Sequence, residues 1–194
     1  MATSKIDICN SALSKLGVEA ISSFAQTSKA SVLCNLQYDK IRRKVLREHL
    51  WNFAVKRAAL AKLVAVPLFG YGAAFQLPSD NLLPIEVDID DDWEEEGHTI
   101  LINSSTCNLK YIYDVTDVSL FDVVFEEVLA YMLAAELAYA LKQSNGLRES
   151  MAASADLALR NGRFYDAKVG RTSKTKKLQA DVWLDARVNG LDAD

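Results

Sequence analysis

The chain has little of what metal proteins and most enzymes are built from. Of 194 residues, three are cysteines (Cys9, Cys34, Cys107) and two are histidines (His49, His98). The cysteines are far apart, odd in number and form no C-x-x-C, which argues against a disulfide framework or a zinc site and fits a reducing compartment. The histidines come from different elements and show no H-x-x-x-H or Cys–His ligand spacing. No serine stands in G-x-S-x-G, and neither a P-loop nor a G-x-G-x-x-G occurs. Cys34 falls on the apolar face of a helical pattern, the place of a small buried hydrophobe rather than a nucleophile. A signal-peptide core is missing, because Asp7, Asn10 and Lys15 interrupt the first apolar residues; a cytoplasmic protein without a membrane span is expected. Excess positive charge is missing too. Lys and Arg number 22 against 26 Asp and Glu, and the net charge of −4 gives no global reason for nucleic-acid binding. There is no internal repeat. No cofactor, no metal and no enzymatic activity are expected.

What is present is a helical pattern interrupted by a β-rich stretch. Hydrophobic residues make up 50% and charged residues 25%, the balance of an ordinary globular chain long enough for one sizeable core. The organising stretch is 121–143, FDVVFEEVLAYMLAAELAYALKQ. Phe121, Val124, Phe125, Val128, Met132, Ala135, Ala138, Tyr139 and Leu141 mark one helical face, and Leu129, Leu133 and Leu137 fill the other. A helix apolar on most of its circumference must be covered on several sides. It is therefore expected at the centre of a bundle, covered in part by neighbouring subunits. Ser119 with Asp122 supplies its N-cap, and Ser144-Asn145-Gly146 its stop.

Further helices are expected over 5–16 (capped by Thr3 or Ser4, ended by Gly17), 28–49 (capped by Thr27 or Ser28) and 147–168, the last weakened in its middle by Gly162. Between the second and third helices, 51–115 is β-rich, with strands expected at 74–77, 83–89, 99–102 and 109–113. The fold class is α+β, mainly α: an antiparallel helical bundle, a small antiparallel β-sheet inserted between helices 2 and 3, and an extended C-terminal arm. Residues 1–167 form one domain, and 168–194 a basic linker and arm.

Two kinds of charge cluster are candidate sites. The acidic run 86–96, EVDIDDDWEEE, places Asp88, Asp90 and Asp92 at EF-hand spacing, but Trp93 stands where that loop needs Gly and Thr99 where it needs Glu. Paired carboxylates also serve glycosidases. Consecutive carboxylates on one loop are more simply a solvated or interface feature. Two basic stretches, 40–47 and 168–177, are candidate phosphate contacts. The plainer reading is a solvated helix end, favoured by the macrodipole, and a flexible linker. The linker leads to a Trp-bearing amphipathic run, the pattern of an arm that orders on a partner.

The order of features resembles the tail tubular protein A family, the head–tail adaptors of short-tailed bacteriophages, and more loosely other adaptors that bind beneath a portal. The matching stretches are IDICNSALSKLGVEAI, VLREHLWNFAVKRA, FGYGAAFQLPSDNLLPIEV, YIYDVTDVSLFDVVFEEVLAYMLAAELA and VWLDAR, which together span nearly the whole chain. The resemblance implies a structural virion protein at the head–tail junction. It implies a homo-oligomeric ring of twelve copies that docks on the portal protein above and a tail nozzle protein below. Double-stranded DNA would pass through it without sequence-specific contact. On that expectation Lys168, Arg171, Lys174, Lys176 and Lys177 carry the arm to the portal, Trp183 and Leu184 anchor it, and Arg187 pairs a carboxylate. Asp88, Asp90, Asp91, Asp92, Glu94, Glu95 and Glu96 form a loop facing the nozzle or the channel, where acidic walls keep DNA from sticking. The alternatives are a DNA-binding protein using 40–47 and 168–177, a neck or head-completion protein of a long-tailed phage, and a hydrolase using Asp90, Asp91 or Asp92.

Overall fold

Local capping chemistry sets the first helix. In the structure, a computed structural model describing residues 4–169 with side chains through Phe164, α1 (Lys5–Lys15) starts at Ser4. The Ser4 hydroxyl accepts from the Asp7 amide at 3.2 Å, and the Asp7 carboxylate accepts from the Ser4 amide at 2.9 Å. Gly17, at φ +62°, takes the chain out of the helix in a conformation that other residues adopt at a cost. The loop that follows is pinned by Asn10, which accepts from the Ile21 amide at 2.8 Å and donates to its carbonyl at 2.9 Å. The buried Ser31 hydroxyl donates to the Ser23 carbonyl at 2.9 Å. Ser28 then caps α2 (Lys29–Glu48).

The long apolar stretch forms α3 (Val123–Lys142), and α4 (Asn145–Val169) follows it directly. Both expected boundaries move. Phe121 is extended, so Ser119 belongs to a 3-10 turn (Val118–Leu120) capped by Asp117, and the N-cap of α3 is Asp122, which accepts from the Val124 amide at 2.8 Å. At the other end the left-handed residue is Gln143, at φ +52°. Ser144 instead accepts from the Leu147 amide at 3.1 Å, so the polar triplet read as a stop opens the next helix.

α3 is central, as its pattern predicts, but its own chain covers it. Phe125, Val128, Leu129, Leu133 and Leu137 are buried against α1, α2 and α4. Ala130, Ala134 and Ala138, also buried, allow the close approach. Few of its apolar residues stay exposed, chiefly Val123 and Tyr139, so little of this helix is left for a neighbouring subunit to cover.

The inserted region forms two antiparallel sheets rather than one. A 3-10 turn (Asn52–Ala54) leads into β1 (Val55–Ala59), followed by β2 (Ala61–Lys62), β3 (Ala73–Gln76), β4 (Asn81–Val87), β5 (Trp93–Glu96), β6 (Thr99–Ile102) and β7 (Asn108–Tyr113). The first sheet has the order β1-β7-β4 and the second β2-β3-β6-β5. Side chains of β7 alternate between two cores, as strand geometry requires. Ile112 joins the helical core with Trp51, Phe121 and Phe125, whereas Leu109 and Tyr111 pack with Phe75, Ile100 and Ile102 of the second sheet. The first sheet therefore lies between the bundle and the second sheet. Trp51 seals the junction: it is buried, donates from its indole N–H to the Val45 carbonyl at 2.9 Å, and meets Phe125 edge-on.

Candidate interaction surfaces

The acidic run does not form one loop. Asp88 closes the end of the β4–β7 pair: its carboxylate accepts from the Asn108 amide at 3.0 Å and the Asn108 side chain at 2.6 Å. Those bonds hold its pKa below the ordinary carboxylate value. Asp90, Asp91 and Asp92 occupy the exposed turn before β5, and Glu94, Glu95 and Glu96 lie on β5 itself, at the edge of the second sheet. Charged side chains on an edge strand discourage unwanted strand pairing, which gives these three glutamates a local reason. Trp93 turns inward against the core between the sheets.

Residues 40–47 are divided as well. Arg42 is buried rather than solvated. It donates to Asp114 and to the Val115 carbonyl, and pairs with Asp39 at 3.2 Å. Arg43 donates to the other oxygen of Asp114 at 2.8 Å. Lys40, Lys44 and Arg47 remain exposed and, with Arg43, Glu48 and Leu82, line an open hollow between α2 and the start of β4.

The third surface was not singled out from sequence. The hairpin between β2 and β3 exposes Val64 and Leu68 completely, Phe69 by 89% and Val66 by 59%. A signal existed: 63–79 contains no charged residue, although Pro67, Gly70 and Gly72 mark a turn that would ordinarily be polar. The register fixes what lies beside this loop. Ala73 pairs with Ile102, and Ile102 with Trp93, so the apolar loop, the turn after β6 and the Asp90, Asp91, Asp92 turn leave the same end of the second sheet. Asn103 ties two of them together by accepting from the Gly72 amide at 2.7 Å.

All three cysteines are buried. The Cys9 thiol, hydrogen-bonded to Cys34 and desolvated, is pushed well above its ordinary value, and burial raises Cys107. High thiol pKa values disfavour the reactive thiolate at Cys9 and Cys107, while the hydrogen bond from Cys9 lowers the buried Cys34. Among the described residues, no group of three or more His, Cys, Asp or Glu is placed to hold a metal ion, and no helix is long and apolar enough to cross a membrane. Lys168 lies within α4; its side chain, and Arg171, Lys174, Lys176, Lys177, Trp183, Leu184 and Arg187, fall outside the described residues. Compared with known proteins, the chain matches no protein-family model and no curated sequence.

Proposed function

We propose that this chain is a structural subunit of a phage head–tail adaptor. Copies form a ring, of twelve by the family resemblance, that docks under the portal, connects it to a tail nozzle and surrounds the DNA channel at the head–tail junction of the virion. The reading assigns it no catalysis and no cofactor. The observation that carries it is the β2–β3 hairpin, whose Val64, Leu68 and Phe69 stand in solvent. Contiguous exposed apolar side chains mark a contact surface, and the centre of the bundle, already covered by its own helices, leaves this loop as apolar surface to be buried by assembly. The helical bundle with its inserted sheets agrees with the order of features on which the resemblance rests.

The test is the mass of the purified protein, alone and mixed with portal rings of the phage that encodes it, followed by particle imaging. A ring stoichiometric with the portal is expected. A protein that stays monomeric and ignores portals would discard the reading.

One observation favours a second reading, DNA binding: the hollow on α2 gathers Lys40, Arg43, Lys44 and Arg47. It predicts duplex affinity that falls steeply with salt. Binding that is weak at low salt, or that K40E/K44E leaves unchanged, removes this alternative.

A further inference from the structure

The apolar loop and its acidic neighbour have a chemical complement on the same chain. The exposed face of α2 runs Val32, Leu36, Lys40, Arg43, Arg47, a single stripe at helical spacing, with Lys44 beside it. Its first half is apolar: Val32 and Leu36 are each more than half exposed. Its second half is basic on balance, with Asp39 beside it paired to Arg42 and Lys5, and Glu48 at its end. The end of the second sheet presents an apolar half in Leu68 and Phe69 and an acidic half in Asp90, Asp91 and Asp92.

The dimensions agree. β3 and β5 are separated by β6, so the strand ends from which the loop and the acidic turn leave the sheet stand two strand spacings apart, about 10 Å. Leu36 and Lys44 are eight residues apart on one helix, about 12 Å. Within one chain the two surfaces do not meet, since Val64 and Leu68 are fully exposed.

We propose that the β2–β3 loop of one copy seats on the Val32–Leu36 face of the next, with the Asp90, Asp91, Asp92 turn against Lys40 and Lys44. The contact joins two different patches and is head-to-tail, so repetition closes a ring or extends a filament. It names the subunit contact of the ring reading and rests on that reading. A bilayer is the poorer occupant, because membrane surfaces are anionic and three carboxylates stand at the same end of the sheet.

The experiment uses the full chain under the conditions in which it assembles, alone or on portal rings, with light and isotopically heavy copies mixed. A zero-length carbodiimide then joins carboxylates to amines in direct contact. Mixed-isotope peptides linking Asp90, Asp91 or Asp92 to Lys40 or Lys44 are expected. L68S/F69S and K40E/K44E, all at exposed positions, should each weaken assembly at least about tenfold. The two variants mixed together should recover pairs and no longer species, because one intact contact survives between them. Assembly that L68S/F69S leaves unchanged overturns this contact while the ring reading stands. Flotation with phosphatidylcholine vesicles that depends on Leu68 and Phe69, without the cross-link, overturns it in favour of lipid. No assembly under any condition removes both.

Discussion

Arg42 and Asp114 fasten the helical bundle to the β-region. Arg42 stands on α2 with its side chain 1% exposed, and Asp114 follows β7 with 17% exposure. The same guanidinium reaches the Val115 carbonyl and Asp39, and Arg43 takes the second oxygen of Asp114 at 2.8 Å. A cation this buried is tolerated because its partners surround it.

Arg42→Met should therefore destabilise the protein by about 3–5 kcal/mol. The methionine fills much of the volume but leaves the buried Val115 carbonyl without its donor and Asp114 with Arg43 alone. Asp114→Asn keeps an acceptor oxygen and should cost less. Urea unfolding of the three proteins checks the order. If Arg42→Met costs under about 1 kcal/mol, the pair is not a fastening.

Gly162 predicts a substitution against helix propensity. In an exposed helix, Gly→Ala gains about 1 kcal/mol. Here an added Cβ would lie 3.1 Å from the Val124 Cγ1 and 3.3 Å from the Trp51 ring. That ring is fixed by its hydrogen bond to Val45 and its edge contacts with His49 and Phe125, so it cannot step back. Gly162→Ala should destabilise by about 1 kcal/mol net, in the range for overpacking, and adding Val124→Ala should recover part of the loss. A stabilised Gly162→Ala protein would mean that the junction yields. The glycine that reads from sequence as a weak point in α4 is the residue that lets α4 approach Trp51.

Asp80 and Tyr111 predict opposite limbs of a pH profile. Asp80 accepts from the Lys56 ammonium at 2.8 Å and the Tyr111 hydroxyl at 3.0 Å. Burial pushes its carboxyl up, but those hydrogen bonds and the Lys56 charge outweigh it and hold it below the ordinary value. Its contribution is complete above the unfolded carboxylate value, about 4, and is lost as pH falls through the lower folded value. Tyr111 is pushed up to about 12 by burial and then by the bond to Asp80. Its contribution is complete below the unfolded phenol value, about 10, and is lost as pH rises toward the folded one. Asp80→Asn should flatten the acid limb below about pH 4 and bring the Tyr111 phenol into titration at lower pH. Denaturation across the acid range and near-ultraviolet titration measure the two effects. An unchanged acid slope with unchanged phenol titration would show that the bonds do not act in solution.

What sequence made legible was set by neighbours along the chain. The Ser4 and Ser28 caps and the β6 strand lie where local chemistry places them. β1 and β2 fall inside the expected β-rich stretch but had no legible bounds, because 55–62, VKRAALAK, lacks alternation and is fixed as strand by pairing with β7 and β3. β5 was hidden because three glutamates make a poor strand in isolation, and β6 supplies the pairing. Arg42 read as one of a solvated cluster because its partner lies 72 residues away. Of the candidate surfaces, the charges were visible and their division was not: Asp88 and Arg42 are structural, while the turn before β5 and the outer cations of α2 stay free to face solvent. The apolar hairpin was missed because composition reports that Leu68 and Phe69 are hydrophobic, not that nothing in the chain covers them.

Gln143 carries the remaining prediction. It is the one non-glycine residue at positive φ among the described residues, at +52°, where the chain turns from α3 into α4. L-residues pay roughly 1–2 kcal/mol for this conformation, and glycine does not. Its side chain is exposed, so replacing it removes no core contact, and its amide still reaches the Tyr139 carbonyl at 2.9 Å. Gln143→Gly should stabilise the protein by about 0.5–1 kcal/mol, less than the full strain because glycine also loosens the unfolded chain. Gln143→Val, β-branched, should destabilise it. Thermal and urea unfolding of both variants give the test. If glycine destabilises and valine does not, the turn is held by the side chain and not by the backbone conformation.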